Sequence, residues 1–65
     1  MPSIQELRTA RGWSQEELAR RAIVSFRTVN RLERGEIVSV LTLRRVCAAL
    51  GVDPDEVTQV KPDTG

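Results

Sequence analysis

The 65-residue sequence predicts an all-α fold, a compact domain of five short helices. From Ile4 onward, apolar residues recur at spacings of three and four, with almost none of the β-branched alternation that marks strands. Each apolar stripe also follows a serine or aspartate placed to cap a helix, and glycines at 12, 35 and 51 close three of the stripes.

Taken in order, Ser3 with Glu6 three residues later is a capping box. Leu7 and Ala10 continue the stripe, so helix one spans roughly 4–11 before Gly12. Ser14 with Glu17 repeats the signal for helix two, roughly 15–22, with Leu18, Ala19 and Ala22 facing inward and Trp13 stapling onto its start. After a break at Ile23 and Val24, Ser25 caps helix three, roughly 26–34, whose buried stripe is Val29 and Leu32 and whose end is Gly35. Residues 36–38 connect to Ser39, the cap of helix four, with Leu43, Val46, Cys47 and Leu50 inside and Gly51 at its end. Asp53, Pro54 and Glu56 supply the cap, first-turn proline and capping-box partner of a fifth helix through Val57 and on to Val60. One domain over residues 1–60 with a flexible tail at 61–65 is the expected organisation.

Composition narrows the function classes. A chain of this length has room for one modest core and none for a large active-site cavity. With one cysteine and no histidine there is no internal disulfide, and no metal or other cofactor is expected. The absence of tyrosine and of a Gly-rich phosphate loop argues against an enzyme, and Cys47 on an apolar helix face reads as an inert core thiol. No run of 18 apolar residues occurs and the first residues lack a signal-peptide core, so the chain reads as cytoplasmic. Net charge is only +1, but residues 1–52 carry nine arginines against five glutamates, net +4, while residues 53–65 carry Lys61 against four acids, net −3. Arginine suits forked recognition of phosphates and guanine edges, although genome base composition alone can also enrich it.

Helix two, a short break and helix three form a helix-turn-helix arrangement. The stretch QEELARRAIVSFRTVNRLERG, with LRTARGWSQEELA before it and TLRRVCAALGV after it, resembles the phage repressor and Cro type of transcriptional regulators, the XRE family, over about residues 4–57. The resemblance rests on Ser14 and Gln15 opening helix two, small Ala19, apolar Leu18, Ala22, Val24, Val29 and Leu32, the Glu33 to Gly35 ending, and the leucine-glycine pair 50–51. It implies a lambda-repressor-like domain whose helix-turn-helix covers about 15–34. Ala19 is small because helix three crosses helix two closely there. One residue departs from the pattern. The family usually has glycine in the turn where this chain has Ile23, and a β-branched residue resists positive φ, so either the turn adopts another conformation or it is locally strained.

The resemblance implies a sequence-specific regulator of double-stranded DNA, with helix three in the major groove. Phe26, Arg27, Asn30 and Arg31 then meet base edges: Arg27 or Arg31 pairs with guanine, Asn30 with adenine, and Phe26 packs on a thymine methyl. Phe26 has a second reading, as a cap on the core three residues before Val29. Ser14, Gln15, Ser25 and Arg34 are the expected phosphate contacts. Glu33 is expected to pair with an arginine on a helix surface, since a carboxylate near phosphates repels them. A domain this small reads few base pairs, so a homodimer on a two-fold operator is expected. The resemblance favours Val52, Pro54, Val57 and Val60 for its interface, with Ile37, Val38, Val40 and Leu41 as the other leftover apolar surface. A phage switch, a restriction-modification controller and an antitoxin share this pattern. A helical adaptor that binds another protein through Phe26 is the alternative from a different class.

Overall fold

The computed structural model describes residues 3–36 and 38–57. Each α-helix starts on a serine in extended conformation whose hydroxyl accepts the amide three residues on. These are Ser3 for α1 (Ile4–Ala10), Ser14 for α2 (Gln15–Ala22), Ser25 for α3 (Phe26–Glu33) and Ser39 for α4 (Val40–Leu50). Each hydroxyl satisfies an amide that has no partner inside its helix, and such a cap contributes about 1 kcal/mol. At α1 the box is complete, Glu6 returning to the Ser3 amide at 2.9 Å. The box expected at α2 is only half made. Ser14 accepts from the Glu17 amide, but the Glu17 carboxylate goes to Arg20 and Arg21 instead, at 2.7 Å each.

The four helices stop in one way. The amides of Trp13, Val24, Glu36 and Val52 bond back five residues to the carbonyls of Arg8, Ala19, Arg31 and Cys47, at 3.0–3.2 Å. That closure requires a left-handed residue just before the donor. Three of these residues are the glycines 12, 35 and 51, and the fourth is Ile23. α1 and α3 stop one residue earlier than expected, because Arg11 and Arg34 already serve as their caps.

The expected fifth helix is not an α-helix. Pro54–Glu56 makes a single 3-10 turn, with Glu56 reaching back to the Asp53 amide at 3.0 Å, and Val57 is extended. Val57 is buried, and its extended backbone takes the chain out of the helical path after one turn. The proposed continuation to Val60, the tail 61–65 and Ile37 lie outside the described residues.

The core is almost wholly aliphatic: Ile4, Leu18, Ala19, Ala22, Val29, Leu32, Leu43, Val46, Cys47, Leu50 and Val57 are buried. α2 lies at its centre, packed on both α3 and α4, while α1 lies across α3 and α4. Burying one Leu, Ile or Val side chain contributes about 1.5–3 kcal/mol, so this cluster holds the domain without a disulfide. Burial pushes the Cys47 thiol up, helped by the charge of Asp53, which keeps it protonated and unreactive. Trp13 packs against the core edge and is covered by Arg21, whose guanidinium lies 4.4 Å from the ring centre. Arg11 ties the end of α4 to α1, donating to the carbonyls of Leu50 and Leu7.

Candidate nucleic-acid interface

α3 is positioned by two things: what it buries and what the preceding turn allows. Val29 and Leu32 are fully buried, α2 packs directly on α3, and Ala19 of α2 is buried in the core. Of the two alternatives left open for the turn, the structure takes strain. Ile23 sits at φ 59°, ψ 48°, with its amide directed at the Ala19 and Arg20 carbonyls, and its side chain is 76% exposed. Its own carbonyl accepts a bond from Arg45 of α4 at 3.3 Å. Val24 tucks back against the core immediately after it. The turn therefore keeps the hydrogen-bond pattern that a glycine gives, with a β-branched residue in the left-handed position.

A polar seam fixes the other side of α3. Arg8 of α1 grips Glu33 with two hydrogen bonds, Nε to Oε2 at 2.6 Å and Nη2 to Oε1 at 3.0 Å, and donates Nη1 to the Trp13 carbonyl at 2.8 Å. Gln15 of α2 donates to the same Glu33 Oε1 at 2.9 Å. These side chains are well covered, 12% exposed for Arg8 and 5% for Glu33. The expected pairing of Glu33 is therefore corrected: its partner is not on a helix surface but on another helix, 25 positions away. A covered carboxylate needs a matched donor set, and the forked guanidinium supplies it. The hydrogen bond to Glu33 in turn raises the Arg8 pKa, opposed by burial and helped by the glutamate charge. The seam holds α1, α2 and α3 together at the start of α2 and the end of α3.

On its outward side α3 presents residues 26, 27, 30 and 31, which share one helical face. Phe26 is 49% exposed, so it does not close over the core. Arg27 and Arg31 are exposed and Asn30 is half-buried. Asn30 Nδ2 lies 3.5 Å from Gln15 Oε1, a long contact that leaves most of its hydrogen-bonding capacity open. Arg27 has no ion-pair partner among the described residues. The residues expected at phosphates flank this face in sequence. The Ser14 and Ser25 hydroxyls each accept one capping hydrogen bond, from the Glu17 and Thr28 amides, and Ser25 also bonds the Thr28 hydroxyl at 2.8 Å. Gln15 uses its amide nitrogen on Glu33, which leaves that nitrogen a second hydrogen. Arg34 is exposed and paired with Glu36 at 2.6 Å.

Two pairings are not singled out by the sequence. Arg8 is one of several arginines open as partners of Glu33, and their separation of 25 positions has no helical or strand period to select the pair. Glu36 falls in the connection after α3, yet its carboxylate joins Arg31 at 3.0 Å as well as Arg34. The leftover apolar surface is also sorted. Val57 is in the core, Val52 and Val38 pack against it, Pro54 is half-buried, and Val40 and Leu41 are exposed. A groove between α4 and the 3-10 turn is lined by Val40, Leu43, Arg44, Asp53, Pro54 and Asp55.

Capped helices in this order, with α2 packed on α3 across a left-handed turn and a polar, arginine-bearing outer face on α3, define a helix-turn-helix domain. Residues 4–57 match the model of the helix-turn-helix family HTH_3, and the chain belongs to that family, the XRE or Cro/C1 type. The family is one of DNA-binding transcription regulators. A search of curated proteins finds no match to the chain. No helix among the described residues is long and apolar enough to cross a membrane.

Proposed function

We propose that the protein is a sequence-specific regulator of transcription that acts in the cytoplasm as a homodimer on a two-fold DNA operator. α3 enters the major groove, where Arg27 and Arg31 read guanine, Asn30 reads adenine and Phe26 packs on a thymine methyl. Ser14, Gln15, Ser25 and Arg34 meet the flanking phosphates and set the register. The observation that carries this reading is the division of α3 into two faces, with Val29 and Leu32 fully buried and Phe26, Arg27 and Arg31 turned to solvent. The neutralised Glu33 supports it, because the one carboxylate within α3 is covered and paired instead of facing the duplex. The excess of arginine before residue 53, net +4, against an acidic excess after it, net −3, favours the helix-turn-helix as the part of the chain that meets DNA.

For the dimer, the surface that remains after Val57 is assigned to the core is the exposed pair Val40 and Leu41 with the adjoining groove and Pro54. Arg44 and the acidic pair Asp53 and Asp55 line that groove together, so a two-fold copy can place arginine against carboxylate twice.

Selection of binding sites from random duplexes tests the reading, run with the wild type and with Arg27→Ala. An enriched, two-fold related site is expected, and the variant is expected to relax one position in each half. Uniform weakening at every position would make Arg27 a phosphate contact only, and no enrichment at all would overturn the DNA-reading proposal.

A further inference from the structure

We propose that Glu36 is a positioning residue for DNA reading: its carboxylate aims the guanidinium of Arg31 at one base and weakens, without removing, the sequence-independent pull of Arg34 on its phosphate. Glu36 thereby sets the selectivity of binding more than its strength. This inference rests on the DNA-binding function proposed above.

Both carboxylate oxygens of Glu36 are engaged by arginines at the end of the outward helix. Oε1 accepts from Arg31 Nε at 3.0 Å and Oε2 from Arg34 Nη2 at 2.6 Å. The choice of nitrogen on Arg31 matters. A guanidinium held through Nε keeps both terminal nitrogens free, and those two form the flat fork that matches O6 and N7 of guanine. An arginine without such a tether has to be ordered by the base alone, or it slides to a phosphate. Arg27, one turn earlier on the same face, has no ion-pair partner among the described residues and supplies an internal comparison.

These pairs are exposed, with the arginine side chains more than half accessible, so they contribute little to stability. Their consequence lies at the surface they face. The bonds from Arg34 and then Arg31 hold the Glu36 carboxyl below the usual carboxylate range, so it is charged at neutral pH. A fixed negative charge beside two cations lowers the attraction to any phosphate backbone, whatever its sequence. It leaves the hydrogen bonds to a correct base intact. Weakening the sequence-independent part while preserving the base contact widens the ratio between specific and non-specific binding. The Glu36 backbone takes no part in this, since its amide closes α3 on the Arg31 carbonyl at 3.0 Å and a side-chain change leaves that bond in place.

The experiment compares wild type, Glu36→Gln, Glu36→Asp, Arg31→Ala and the double variant Arg31→Ala with Glu36→Gln. Each is measured on the enriched duplex, on its single-base-pair variants and on an unrelated duplex, after thermal melting has shown that all are folded. Arg31→Ala identifies the base pair that Arg31 reads. Glu36→Gln is expected to raise affinity for the unrelated duplex and to cut discrimination at that base pair about three- to fivefold, the scale of an exposed pair, with the pair read by Arg27 unchanged. Its salt slope is expected to steepen by about 0.9, one further phosphate neutralised. Glu36→Asp is expected to restore the selectivity in part, and the double variant to lose no more discrimination at that pair than Arg31→Ala does. An unaltered selectivity profile in Glu36→Gln, or an equal relaxation at all positions, overturns the inference while leaving DNA reading intact. A wild type that prefers no sequence overturns both.

Discussion

At the scale of single residues, Ile23 carries the clearest cost in the fold. Left-handed backbone costs an L-residue about 1–2 kcal/mol, and branching at Cβ adds to it. The side chain returns little, since it is 76% exposed. Ile23→Gly is therefore expected to stabilise the domain by about 0.5–1 kcal/mol, the relieved strain exceeding the extra freedom glycine has in the unfolded chain. Urea unfolding followed through Trp13, the sole tryptophan, measures this. A loss of stability would mean that the turn is not strained. Arg8 and Glu33 pose the opposite case. Glu33→Ala strands a covered guanidinium and is expected to cost about 2–4 kcal/mol, whereas replacing both members together, Arg8→Met with Glu33→Leu, is expected to recover most of that. If the double replacement costs as much as the single one, the seam stabilises through more than mutual neutralisation.

Among elements, the crossing of α2 and α3 decides where the outward face points. Ala19 of α2 is buried, and a larger side chain there has to be accommodated by the helices packed on α2, α3 among them. Ala19→Leu is expected to cost about 1–3 kcal/mol by overpacking and to lower affinity for the selected duplex further than the loss of folded molecules explains. Equal losses in folding and binding would mean that the helix angle tolerates the change. The four α-helices were legible in the sequence because each signal is local. Serine caps sit one residue before the stripe, stops lie just after it, and apolar side chains repeat at the helical period. The fifth element starts on the cap, proline and capping partner that the sequence supplies but is one 3-10 turn that ends before Val57, because the burial of Val57 against the rest of the core is a tertiary fact. The outer face of α3 was legible for the same reason as its buried stripe, one being the complement of the other. The pairings of Glu33 with Arg8 and of Glu36 with Arg31 and Arg34 follow from folded geometry that no period in the sequence encodes.

For the molecule as a whole, 65 residues allow a stability of only about 3–10 kcal/mol, so the changes above are large fractions of the total. Acid shows the sign of its electrostatics. Glu17 is held below its ordinary pKa of 4.5 by Arg20 and then Arg21, and Glu36 below it by Arg34 and then Arg31. The folded state therefore binds these protons less readily than the unfolded chain. Their contribution is present above pH 4.5 and is lost as pH falls through the lowered folded values. Thermal midpoints are expected to decline on acidification below about pH 4.5, and Glu17→Gln is expected to flatten that decline. An unchanged decline would assign it to other carboxylates. In the dimer proposed above, the exposed apolar pair Val40 and Leu41 joins two copies so that two α3 helices can meet one duplex. Leu41→Glu is expected to shift sedimentation toward the monomer and to weaken a two-fold site far more than a half-site. The most direct measurement of the central claim is an NMR titration of the protein with the enriched duplex. The account predicts that the largest amide and side-chain shifts fall on Phe26, Arg27, Asn30 and Arg31, with smaller ones at Ser14, Gln15 and Ser25. Shifts confined to other surfaces, with α3 undisturbed at saturating duplex, would contradict it.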